Sequence, residues 1–116
     1  MAEEKTFENK IKKYLKEKRC WYVKYWAGAK FTKSGIPDIL ACCNGVFLAI
    51  EVKSSSGKLS EMQLHNIEKI NESGGIAIVL YPSQFEDFKK LVKYILNNKN
   101  EKAIDISQKI NKKVGA

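Results

Sequence analysis

The sequence predicts an α/β domain in which helices pack against a mixed β-sheet, in the order helix, three strands, helix, strand, helix. Three observations carry that expectation. Apolar residues recur at helical spacing near the N-terminus and again after residue 83. The tetrapeptide Cys43-Asn44-Gly45-Val46 separates two apolar runs. Ser60-Glu61-Met62-Gln63 then opens a helical pattern that leads to a short, wholly apolar segment. A chain of 116 residues has room for one core, so a single domain over 1–116 is expected, with its core at about 6–97. No internal repeat, low-complexity tract or linker argues for a second domain.

The first helix is expected from Thr6 to about Arg19, with Thr6 as its cap and Phe7, Ile11, Tyr14 and Leu15 on its apolar face. Trp21-Tyr22-Val23-Lys24-Tyr25-Trp26 reads as a strand, because aromatic and β-branched side chains suit a pleated surface. Its tryptophans read as core in preference to platforms for bases. A basic loop from Ala27 to Gly35 follows. Asn-Gly between the runs of Ile36 to Lys53 predicts a tight hairpin, so the second and third strands should be antiparallel neighbours. The helix opened by Ser60 closes at Gly74-Gly75, and Ile76 to Tyr81 forms the fourth strand. Ser83-Gln84-Phe85-Glu86 repeats the capping-box pattern and opens a helix with Phe85, Phe88, Val92 and Ile95 on one face. The mostly polar tail at 101–116, anchored only by Ile104, Ile106, Ile110 and Val114, is expected to dock weakly or fray.

Composition narrows the function. The formal charge of +8 is large for this length and attracts polyanions. Nucleic acid is favoured over membrane, since no apolar run approaches the roughly 20 residues of a spanning helix. The opening MAEEKTFENK lacks the apolar stretch of a signal peptide, so a cytoplasmic location is expected. Cys42 and Cys43 point to opposite faces of a strand, which argues against a disulfide between them, and both read as small core residues. Cys20 and His65 have no ligand spacing to a partner, which argues against structural zinc.

The hairpin builds a site. With Asn44 and Gly45 as the turn, Asp38 lies opposite Glu51, and facing residues of an antiparallel pair have Cβ atoms about 5 Å apart. Lys53 shares their face because side chains repeat every two residues. Two opposed carboxylates among Leu40, Phe47 and Ala49 need compensation, and a hard divalent cation such as Mg²⁺ supplies it with one or two carboxylates. Lys53 can then act on a water or a phosphoryl oxygen. The competing expectation is a solvated strand end, as for most charged residues. Against it, the other face carries only Ile39, Ala41, Cys43, Val46, Leu48, Ile50 and Val52, the pattern of central strands.

Gly35-Ile36-Pro37-Asp38-Ile39 followed by Ile50-Glu51-Val52-Lys53 resembles the PD-(D/E)XK nuclease signature. With Glu8 in the first helix and Gln63 early in the second, the pattern resembles the VRR-Nuc branch of that superfamily over roughly residues 7–81. The resemblance implies a restriction-endonuclease-like core and metal-dependent cleavage of structured DNA, such as four-way (Holliday) junctions, by a homodimer. It implies Asp38, Glu51 and the Val52 carbonyl as ligands of Mg²⁺, with Mn²⁺ as substitute, and Lys53 as the residue that orients or activates water. Glu8 and Gln63 complete the implied catalytic set. Each also has a plainer explanation: Glu8 as the i,i+4 partner of Lys12 or a favourable charge at the helix N-terminus, Gln63 as half of a capping box. Lys30, Lys33, Ser34 and Lys58 flank the site on two loops, where they can meet DNA phosphates or remain solvated. A non-catalytic DNA-binding module and a restriction-like or RNA-directed nuclease are the alternatives.

Overall fold

The residues between the two central strands decide the topology. In the computed structural model, which describes residues 2–26 and 34–115, Asn44 (φ 50°) and Gly45 (φ 80°) both adopt the left-handed conformation. That is what a two-residue type I′ turn requires. Strand β2 (Ile39–Cys43) and strand β3 (Val46–Val52) therefore pair antiparallel with Cys43 opposite Val46, the expected register. Strand β1 (Trp21–Lys24) adds antiparallel to β2, and β4 (Ile76–Leu80) adds parallel to β3. The four-stranded mixed sheet runs β1-β2-β3-β4, so β2 and β3 are central.

Helices cover both faces. One face carries Ile39, Ala41, Cys43, Leu48, Ile50 and Val52 against helix α1 (Ala2–Glu17) and helix α3 (Phe85–Leu96). The other carries Leu40, Ala49, Ala77 and Val79 against Ile67 and Ile70 of helix α2 (Glu61–Glu72). Helix α2 packs chiefly on β3 and β4, and Trp21, Val23 and Phe47 of the same face lie in solvent. None of the described helices is long and apolar enough to cross a membrane.

Several expectations need correction. Helix α1 begins at Ala2, and Thr6 is an exposed residue inside it, because Glu3 and Glu4 already suit the helix N-terminus. Strand β1 ends at Lys24, two residues early, and Trp21 and Trp26 are 64% and 72% exposed, not core. Cys42 is likewise exposed, on the part of the sheet that α2 leaves open. Ser83 caps nothing: it sits in a 3-10 turn at Pro82–Gln84, where Gln84 Oε1 accepts from Tyr81 N–H (3.0 Å). Most of the basic loop, residues 27–33, lies outside the described residues.

The largest departure is the tail, which forms helix α4 (Asn100–Asn111) packed on α3 and β4. The outer edge of β4 explains it. An unpaired strand edge presents N–H and C=O groups that must be satisfied when buried. Asn71 of α2 donates to Ala77 C=O (3.1 Å) and accepts from Ala77 N–H (2.9 Å). Asn111 of α4 donates to Ala77 C=O (2.9 Å) and accepts from Val79 N–H (3.0 Å). Two side-chain amides thus complete the edge, and α4 is held by that bonding as much as by Ala103 and Ile110.

Candidate active site

Asp38 sits one residue before β2 and, by extension of the register, opposite Glu51. Its backbone carbonyl accepts from Tyr25 N–H (2.8 Å), and its carboxylate Oδ2 accepts from Val52 N–H (2.8 Å). The residue is therefore stitched to β1 and β3 at once. The approach to it is equally fixed. Gly35 (φ 74°) lies so close to α2 that a Cβ there would fall 2.7 Å from the Met62 carbonyl group, and Asn66 Nδ2 donates to Ser34 C=O (3.1 Å). Glycine before Ile36-Pro37-Asp38 is thus a packing requirement.

Glu51, on β3, is 3% exposed. Its Oε2 accepts from Gln63 Nε2 (3.1 Å) and lies 3.5 Å from Lys53 Nζ, whereas its Oε1 is buried with no hydrogen-bond donor. Burial first, and then the Asp38 charge, push the Glu51 carboxyl up to about 8 despite the Lys53 ammonium. Lys53, 8% exposed, donates to Gln63 Oε1 (2.9 Å). Gln63 also forms the capping box with Ser60, accepting from Ser60 N–H (3.0 Å) while its own N–H donates to Ser60 Oγ (3.1 Å). The capping-box expectation for Gln63 holds, and the side chain that fixes the start of α2 also spans Glu51 and Lys53.

Glu8 is brought in by a different route. It is 3% exposed on α1 and contacts Lys12 (3.2 Å), Lys5 (3.5 Å) and Lys24. The i,i+4 pair with Lys12 exists, but it is not the whole account. Lys24 on β1 donates to Glu8 Oε1 and lies 3.6 Å from Asp38 Oδ1, so it links the two acids around the end of the sheet. Burial works upward on the Glu8 carboxyl, yet Lys24 and Lys12 hold it below its ordinary value. Burial works downward on the Lys24 ammonium, and Glu8 and Asp38 outweigh it. Sequence reasoning did not single out Lys24. A lysine inside an otherwise aromatic and apolar strand segment is its one mark in the sequence, and that mark does not show what the side chain touches.

Of the expected phosphate-facing residues, Ser34 and Lys58 are exposed on loops at either side of the site. Lys30 and Lys33 fall outside the described residues. The loop after Lys53 is closed by Gly57 N–H donating to Ser54 C=O (3.0 Å), and Ser55 N–H donates to Glu3 Oε1 (2.9 Å).

With this geometry in place, the comparison with known families is decisive: a family model described as the archaeal Holliday junction resolvase (hjc) matches residues 2–114. The chain belongs to that family. Its members are structure-specific, metal-dependent nucleases of the PD-(D/E)XK superfamily, so the chain is a DNA endonuclease of the junction-resolving kind. The superfamily expected from the motifs is borne out, and the family shown is that of the resolvases. No curated protein matches the chain.

The metal that the family implies can be tested against the residues. Among the described residues no three His, Cys, Asp or Glu side chains converge as a metal cluster. What the site offers instead is a pair of opposed carboxylates, one of them with a buried oxygen that has no donor. Lys24 and Lys53 each stand beside one oxygen of the pair, yet Glu51 Oε1 remains without a partner, and a divalent cation that needs only one or two protein carboxylates fits there.

Proposed function

We propose that this resolvase-family chain cuts four-way DNA junctions in the cytoplasm as a Mg²⁺-dependent homodimer, each copy a single nuclease domain with its site at Asp38, Glu51 and Lys53. The observation that carries the reading is the donorless Oε1 of Glu51 beside Asp38, a buried carboxylate oxygen with no hydrogen-bond partner. Asp38, Glu51 and the Val52 carbonyl hold the cation. When bound, Mg²⁺ neutralises phosphate charge and lowers the pKa of its water, with Mn²⁺ as substitute.

The chain's own groups do the rest. Lys53, fixed by Gln63, directs its ammonium at the attacking water and the phosphoryl oxygens. Gln63 orients Glu51 and Lys53 together, which explains why it stands at the start of a helix and not on a loop. Glu8 is a positioning residue that acts through Lys24 to hold Asp38. Ser34, Lys30, Lys33 and Lys58 contact phosphates on either side of the scissile bond, where they fix register without reading bases. The resemblance to the VRR-Nuc branch, carried by Glu8, Pro37-Asp38, Glu51-Val52-Lys53 and Gln63, is a kinship within the same superfamily.

The homodimer is supported by chemistry and by surface. Resolving a four-way junction takes two strand cuts, and each chain has one site. The half of the sheet that α2 leaves open exposes Trp21, Val23 and Phe47 around Leu40, an apolar patch of the kind that marks an interface. The test is incubation of a labelled four-way junction with Mg²⁺, with Mn²⁺ and with chelator. Paired cuts that need the metal are expected. Cutting that persists in chelator refutes the cation's role, and binding without cutting under either metal refutes the catalytic assignment.

A further inference from the structure

Two buried thiols play no part in this machinery. The β1–β2 register pairs Trp21 with Cys42, so one step outward sets Cys20 opposite Cys43. Facing residues in an antiparallel ladder alternate between pairs that exchange both backbone hydrogen bonds and pairs that exchange none, the latter with Cα atoms about 4.5 Å apart. Tyr25 N–H donates to Asp38 C=O (2.8 Å), which makes 25 and 38 a bonded pair. Counting five steps along the ladder places 20 and 43 in the non-bonded class. The backbone agrees, since Cys20 N–H is spent on Leu15 C=O (2.9 Å).

A non-bonded pair brings its side chains closest, and its Cα separation falls within the roughly 4.4 to 6.8 Å that a disulfide spans. Both side chains enter the same core cluster. Cys42 projects from the other face into solvent. We propose that Cys20 and Cys43 are a cross-strand disulfide site, closed by a small-molecule disulfide such as oxidised glutathione.

The exchange balances without any other reagent. One protein thiolate attacks the small disulfide, forming a mixed disulfide and releasing one small thiol. The second protein sulfur displaces the other, so the protein loses two thiol hydrogens and the oxidant becomes two thiols. Burial pushes the Cys43 thiol up and keeps it protonated, so the reaction belongs to folding or to opening of β1, not to the closed state. The bond lies at the far end of β1 and β2 from Lys24 and Asp38. It closes a loop that contains residues 27–33 and leads into the site, and closing a loop of that length restricts the unfolded chain.

The experiment refolds the full natural chain with oxidised and reduced glutathione, then measures intact mass, non-reducing peptide maps and thermal midpoint. The expected result is a species lacking both thiol hydrogens, a peptide linking Cys20 to Cys43, a midpoint raised by several degrees that falls on reduction, and unchanged junction cutting. The Cys42→Ser chain should behave the same. Two free thiols after refolding, stable glutathione adducts on Cys20 or Cys43, or a link through Cys42 would each overturn the proposal.

Discussion

In the metal-free protein the Glu51 carboxyl, pushed up to about 8 by burial and by Asp38, holds a proton at neutral pH that the unfolded chain, with an ordinary value of 4.5, has already released. A raised folded-state value means that this stabilisation is complete below the unfolded value and disappears as pH rises through the folded one. With chelator present, the thermal midpoint should therefore fall between pH 5 and 8 by a component that Glu51→Gln removes. Mg²⁺ should oppose that fall, because a cation favours the ionised carboxylate. Melts of both proteins across pH, with and without Mg²⁺, check this; identical pH profiles for the two proteins in chelator would refute it. Cutting by Glu51→Gln should drop by about 100-fold or more, with junction binding retained, since phosphate neutralisation elsewhere supplies most affinity. At this scale the sequence was highly legible. Asp38, Glu51 and Lys53 follow from one Asn-Gly turn and a period of two. Lys24 was not legible, because nothing in a linear strand shows that its side chain will reach around the sheet end to two acids on separate elements.

Regular elements followed the same logic, with failures where polar groups decide. Helix α2 was readable from Ser60 and Gln63 because a capping box is a local pattern. Helix α4 was not: among its buried residues, Ser107 and Asn111 are polar, while Ile104, an apparent apolar anchor, is 45% exposed. Its reason to dock lies in the edge of β4, more than 30 residues away in the chain. Asn111→Leu should expose that dependence. The substitution keeps apolar volume but leaves Val79 N–H without its partner and Ala77 C=O with only Asn71. An unsatisfied buried group costs about 1–3 kcal/mol. A loss of stability of about that size is expected, together with faster hydrogen exchange at Val79. Unchanged stability with α4 still docked would show that apolar contact alone holds the helix.

For the whole molecule, the formal charge of +8 was visible from composition and pointed to a polyanion, but it carries no information about assembly. Assembly depends on which half of a sheet a helix covers. Here α2 lies over β3 and β4, and the paired positions Trp21 with Cys42, Cys42 with Phe47, and Val23 with Leu40 form one open apolar strip beside the site. A two-fold contact uses the same patch on both copies, so a single charged substitution is felt twice. Phe47 is 44% exposed, hence Phe47→Asp should leave each chain folded while placing two like charges in the interface. Sedimentation should then show the natural chain as a dimer and the variant as a monomer. On a labelled four-way junction the variant should give single nicks in place of paired cuts, because one site meets one strand at a time. A variant that stays dimeric would move the interface elsewhere, and a natural chain that is monomeric while still making paired cuts would mean that two copies meet only on the DNA.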